Sequence, residues 1–228
     1  MINCEDKNKL LARLSDNYKK YGYSPCSLEW NKGKQGIRFD ILTSDLHISK
    51  GASVIDIGCG FGDLLPYWRN IGGGTYYGVD VTPEFINEAK KLYIQHVADA
   101  EFMTADFLDE NYHRTADFAL VSGSLNYRFN HTDNYAFIEN CMKKAFALSR
   151  QGISFNFLSD KVEWKYDYAW YSNPVVILEM AYDLSRNVVL RNDYMPFEFT
   201  ITVFKDDSFE VTDTLFNRYK SLYPGEKI

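Results

Sequence analysis

Residues 54–63 read Val54-Ile55-Asp56-Ile57-Gly58-Cys59-Gly60-Phe61-Gly62-Asp63. A short apolar run ends in an acid and then passes through three alternating glycines. Glycine lets a backbone adopt positive φ and approach a ligand closely. The carboxyl end of a parallel strand is also where open α/β sheets bind ligands. A dinucleotide-binding turn has the spacing G-x-G-x-x-G and aims a helix N-terminus at a pyrophosphate. Here the spacing is G-x-G-x-G, and Asp56 or Asp63 would repel a pyrophosphate. The same acids suit a ligand that carries an ammonium and a sulfonium.

Two further acids follow at strand ends. Asp80 closes Gly78-Val79-Asp80-Val81, twenty residues after Gly60. An ionised carboxylate is an acceptor-only group with two oxygens, so it can take both hydroxyls of a ribose. Asp106 lies in Met103-Thr104-Ala105-Asp106-Phe107. It can accept from an exocyclic amine while Phe107 covers a purine ring. Taken singly, each acid is equally a cap or turn residue; the spacing to the glycine turn favours the ligand roles.

Two aromatic stretches are candidates for the second reactant. Leu125-Asn126-Tyr127-Arg128-Phe129-Asn130-His131 follows a strand, where it would line the mouth of a site. Histidine is the side chain suited to proton transfer near neutrality, so His131 is a candidate base. Tyr127 is a candidate positioning group. Trp164-Lys165-Tyr166-Asp167-Tyr168-Ala169-Trp170-Tyr171 puts aromatics with polar tips after another strand. Tyr168, Trp170 and Tyr171 would suit sugars, aromatic metabolites or small amphipathic molecules. A packed surface hairpin would read the same way.

These residues need a frame to hold them. Residues 5–21 and 36–47 have helical spacing. Strands are expected at Ser53–Ile57, Tyr76–Asp80, Glu101–Thr104, Asp117–Val121 and Ile153–Leu158. Helices between them are expected over Leu64–Ile71, from a Thr82 cap to about Val97, and over Asp133–Ser149. Strands that alternate with helices mean a parallel sheet with right-handed crossovers. Past Leu158 the pattern breaks into an aromatic segment over 161–173 and a helix over Pro174–Leu184. A close strand pair at Val188–Tyr194 and Phe199–Lys205 follows, with a short helix around Thr214–Leu222.

The totals narrow the function. The chain has 228 residues, 46% hydrophobic and 25% charged, enough for one α/β domain with a real core. Its net charge of −6 argues against a nucleic-acid target, and its nearest basic patch is Lys32, Lys34 and Arg38. The four cysteines form no C-x-x-C pair and the four histidines show no zinc spacing, so no metal is expected. The polar start reads as no signal peptide, and no apolar run approaches the roughly 20 residues of a membrane span. Reduced thiols and a cytoplasmic protein are the expectation.

From Val54 to about Leu158 the chain resembles the class I S-adenosylmethionine-dependent methyltransferases. Asp56-Ile57-Gly58-Cys59-Gly60-Phe61-Gly62 looks like their first motif, Asp80 like their ribose acid, and Asp106-Phe107 like their adenine-side pair. The resemblance implies a Rossmann-like, seven-stranded, mostly parallel sheet with a C-terminal antiparallel strand pair and helices on both faces. It implies S-adenosylmethionine as cofactor, leaving as S-adenosylhomocysteine. It places Asp56, Gly58, Cys59, Gly60, Asp80, Val81, Asp106, Phe107 and Ser122 around that donor. Residues 1–50 are then a helical cap over the cofactor and 51–228 the catalytic core, with Gln35 or Arg38 placed to meet the donor's carboxylate. The expected reaction is in-line methyl transfer to an O or N atom of a small-molecule acceptor. Ser122-Gly123-Ser124-Leu125 lacks the paired prolines common in methyltransferases that act on nucleobase or glutamine amino groups. The competing readings are a non-catalytic cofactor-binding partner, an RNA methyltransferase and an aminopropyltransferase. The last would need acids that the 122–131 loop does not supply.

Overall fold

The computed structural model describes residues 2–29, 34–96, 98–212 and 214–222. Helix α1 (Cys4–Tyr21) is capped by Asn3, whose side chain accepts from the Glu5 N–H, and it stops at Gly22 with φ of 61°. Helix α2 spans Gln35–Ser44. It ends before the expected residue 47, because Thr43 Oγ1 bonds back to the Phe39 carbonyl and Ser44 Oγ to that of Ile41. Trp30 and Lys32 lie outside the described residues.

The core then alternates as the spacing predicts. Its elements are β1 (Val54–Ile57), α3 (Leu64–Asn70), β2 (Tyr76–Asp80), α4 (Pro83–Leu92) and β3 (Ala100–Thr104), then β4 (Ala116–Ser122), α5 (Asn134–Leu148) and β5 (Ser149–Leu158). Helix α6 (Pro174–Tyr182) leads to β6 (Val188–Arg191), β7 (Glu198–Phe204) and a short α7 (Asn217–Leu222). The sheet order is β3-β2-β1-β4-β5-β7-β6. Strand β7 runs antiparallel to both β5 and β6, and the other pairs are parallel. The seven-stranded, mostly parallel sheet with its C-terminal antiparallel pair is therefore present as expected.

Alternation along the strands sorts the core into two layers. Ile55, Ala119, Val121, Phe155 and Phe157 pack with Ile138, Met142 and Ile177 of α5 and α6. On the other face Val54, Phe118 and Leu120 meet Phe39, Trp68 and Ile86 of α2, α3 and α4. Strand β6 is shorter than expected, because Tyr194 leaves the strand line and its hydroxyl bonds inward to Asn156 and Thr200. Among the described residues, no helix is long and apolar enough to cross a membrane.

Candidate active site

The order of the strands reverses direction between β1 and β4, and loops leaving their carboxyl ends surround a cavity of about 570 Å³. At its β1–β2 end the glycine turn behaves as its composition requires. Gly58, Gly60 and Gly62 all have positive φ, at 70°, 55° and 78°. A Cβ on Gly58 would stand 2.2 Å from Cβ of Ser124, whose hydroxyl donates to the Ile57 carbonyl at 3.0 Å. Only a glycine lets the exit of β4 lie this close to the turn.

Two buried carboxylates back the turn. Asp80 Oδ2 accepts the Gly60 N–H at 3.0 Å and Oδ1 accepts the Thr82 N–H at 2.8 Å. Each oxygen keeps a second lone pair, and the residue lines the cavity. Thr82 sits at the N-cap of α4 but makes no side-chain cap bond, contrary to the cap expected of it; its N–H is given to Asp80. Asp56 accepts from the Tyr76 hydroxyl at 2.5 Å. Burial pushes the Asp56 carboxyl up to about 7, Asp80 and Asp63 push it the same way, and the Tyr76 bond opposes them. Burial also raises Asp80. Cys59 lines the cavity beside them, and burial holds its thiol well above the usual range, so it is no nucleophile. Asp63, by contrast, accepts from Tyr23 and does not line the cavity.

Next along the wall, Val81, Asp106, Phe107 and Ser122 all face the cavity. Asp106 takes the Leu108 N–H at 3.0 Å and a 3.3 Å ion pair from Lys7. Phe107 is buried with its ring 5.3 Å from that of Tyr112. Ser122 Oγ is buried and has no hydrogen-bond partner among the described residues.

The β4–β7 end is assembled differently. Tyr127, Tyr168 and Tyr171 line it as expected, and a lone bridge pairs Tyr127 with Ala169, so the two aromatic stretches meet. Two expectations fail on placement. His131 does not line the cavity; its ring is half exposed with Nε2 3.4 Å from Glu5, because the loop has already turned outward to start α5. Trp170 points to the opposite side and packs edge-on against Tyr135 of α5 at 5.1 Å. Arg38 lines the cavity as expected, and Glu198 holds its guanidinium in a buried bidentate pair at the start of β7. Gln35 also lines the cavity.

Several residues of this end carry no signal in the sequence. Glu198 reads there as an ordinary polar residue before a strand, yet it is 1% exposed and is also bonded by Asn156 at 3.1 Å. Helix α1 roofs the cavity with Leu10 and Leu14. It is fastened to α4 by Ser15–Glu84 and Tyr18–Glu88, while Arg13 pairs with Glu29 and lies 4.2 Å over the Tyr168 ring. Asp6 is the only buried residue of this helix, and an acid in a first helical turn ordinarily reads as a dipole partner. Its carboxylate accepts the N–H groups of Asn130, His131 and Thr132, which hold its pKa down at about 2 against the cost of burial.

Comparison with known proteins agrees with this geometry. Residues 54–145 match the family described as a methyltransferase domain. An inferred methyltransferase of Mycobacterium tuberculosis is 37% identical over 160 residues, covering 67% of this chain and 93% of that protein. Among solved structures, the magnesium protoporphyrin IX methyltransferase of Synechocystis PCC 6803 with bound SAM superposes with a TM-score of 0.65 at 16% identity, covering 89% of this chain and 98% of that one. The 1,6-didemethyltoxoflavin-N1-methyltransferase of Burkholderia thailandensis, solved with 1,6-didemethyltoxoflavin and S-adenosylhomocysteine, gives a TM-score of 0.60 at 14% identity, covering 87% and 90%. At these identities the structural matches speak to fold.

Proposed function

The chain belongs to the class I S-adenosylmethionine-dependent methyltransferases, and on that premise we propose that it methylates an O or N atom of a small-molecule acceptor. One observation carries the acceptor class. The cavity is roofed by α1, and among the described residues its charged lining is six acids (Glu29, Asp56, Asp80, Asp106, Glu163 and Glu198) against three bases (Lys34, Arg38 and Lys161). Such a wall favours a cationic donor and disfavours a polyanion such as RNA.

The residues fit the donor. Gly58 and Gly60 leave room for close approach, and Asp80 keeps lone pairs for the two ribose hydroxyls. Asp56 is the proposed partner of the ammonium and Asp106 and Phe107 those of the adenine, and Ser122, whose buried Oγ has no partner among the described residues, also lines the cavity. When bound, the donor supplies a methyl group on a positively charged sulfur. The chain's own contribution is to hold the acceptor in line and to exclude water. Tyr127 is the proposed orienting group and Tyr168 and Tyr171 the proposed acceptor wall. His131 and Trp170, being outside the cavity, have no part in this proposal. Arg38, which lines the cavity and is paired with Glu198, remains the proposed partner of the donor's carboxylate. Residues 2–29 and 34–50 act as a cap over the donor.

Labelled methyl transfer tests the acceptor class. Small hydroxylated or amine compounds should take label in a panel that also holds total RNA. Label found only in RNA would overturn the proposal.

A further inference from the structure

Helix α1 spans the cavity from one side to the other, and its two ends are fastened to different parts of the core. The Ser15 and Tyr18 end is bonded to α4, beside the donor half. The Asn3–Asp6 end is bonded to the loop after β4, which forms the acceptor wall. The second fastening is the unusual one. Asp6 is 1% exposed, and burying a carboxylate is costly unless its lone pairs are filled. They are filled by three successive N–H groups, from Asn130 and His131 at 2.9 Å and from Thr132 at 2.7 Å. Successive N–H groups of this kind form an anion-holding nest, here occupied by the chain's own roof. Asn3 N–H adds a bond to Thr132 Oγ1 at 2.9 Å. The same loop carries Tyr127 and Phe129 into the cavity wall. From the far side Asn134 fixes it through the Tyr127 carbonyl and the Phe129 N–H. The face that α1 turns to the cavity is Leu10 and Leu14, both half-buried. An apolar face of this kind gains burial when a ligand lies beneath it.

We propose that Asp6 is a positioning residue for methyl transfer: it pins the 127–132 loop to α1, so that closure of the roof over the donor and formation of the acceptor wall are one event. The inference rests on the reading of this cavity as a methyl-transfer site. Asp6 touches neither reactant in this scheme. It acts through Tyr127 and Phe129, and the coupling it provides is reciprocal between donor and acceptor.

The test is amide hydrogen exchange on the full chain with and without S-adenosylhomocysteine, for wild type, Asp6→Asn and Asp6→Ser. Ile177→Val, at a buried position of α6, serves as a stability control away from the site. In the ligand-free protein, Asp6→Asn should speed exchange at residues 130–132 at least tenfold, whereas Ile177→Val should not. In wild type, S-adenosylhomocysteine should slow residues 8–18 and 130–132 together. In Asp6→Asn it should still bind and slow 8–18 but leave 130–132 fast. Asp6→Ser keeps a side-chain oxygen too short to reach all three donors and should fall between. Exchange at 130–132 within twofold of wild type in Asp6→Asn, or an equal acceleration in Ile177→Val, would overturn the pin. Failure of wild type to bind S-adenosylhomocysteine would instead overturn the methyl-transfer reading and the coupling to the donor. The ligand-free comparison would still decide the pin by itself.

Discussion

At the donor end of the cavity, the side-chain bonds of Asp56 and Asp80 reach partners no more than 20 residues away in the chain, namely Tyr76, Gly60 and Thr82. At the acceptor end, Arg38 reaches 160 residues to Glu198 and Asp6 reaches 125 to His131. The glycine turn and ribose corner of the donor end are thus one strand–turn–helix unit and its neighbour, with three left-handed glycines, to which Asp106, Phe107 and Ser122 are added from the ends of β3 and β4. The acceptor end is built from an N-terminal helix, two loops and the start of β7. The difference teaches where specificity can vary: a donor corner centred on one local motif, beside an acceptor wall recruited from the whole length of the chain.

Substitutions at the donor end should break the site itself. The largest effect is expected from Gly58→Ala, where φ is 70° and the new Cβ would strike Ser124. Left-handed strain and overpacking together should cost on the order of 3 kcal/mol of stability and remove donor binding. Thermal melts read this against Gly72→Ala, which has positive φ but open space and should cost only about 1 kcal/mol.

Asp56 sharpens the comparison through pH. Its folded pKa of about 7 lies above the ordinary carboxylate value of 3.8. In that window the native state binds more protons than the unfolded one. The donor-free protein should therefore lose stability as pH rises from about 4 to about 7. Donor affinity should move the other way, rising up to about tenfold between about pH 6 and 8 as the carboxylate ionises to meet the ammonium. Asp56→Asn should flatten both profiles, as measured by chemical denaturation and calorimetry.

The smallest effect belongs to the acceptor end. Arg13→Met removes a half-buried pair with Glu29 and the stacking on Tyr168. It should cost about 1 kcal/mol or less and leave donor affinity within twofold. An equal loss of donor affinity from Arg13→Met would erase the distinction between the two ends.

The same contrast explains what was legible beforehand. Asp56, Gly58, Gly60, Asp80, Asp106 and Phe107 were placed at the cavity from spacing alone, because strand ends and turns fix them locally. The alternating core elements were likewise readable from periodicity. His131 and Trp170 were misplaced for a local reason too: each lies one or two residues past a point where the chain turns, so its side chain faces the other way. Glu198 and Asp6 could not have been read at all. A buried acid announces itself only through distant partners, and nothing near Asp6 in the chain foretells three N–H donors at Asn130–Thr132.

The most direct test of the central claim is calorimetric titration of S-adenosylmethionine and S-adenosylhomocysteine into wild type and Asp80→Ala. Binding in the micromolar range by wild type, weakened at least tenfold (about 1.4 kcal/mol) by Asp80→Ala, is the predicted result. Well-folded wild type that binds neither ligand, or Asp80→Ala that binds them unchanged, would contradict the account.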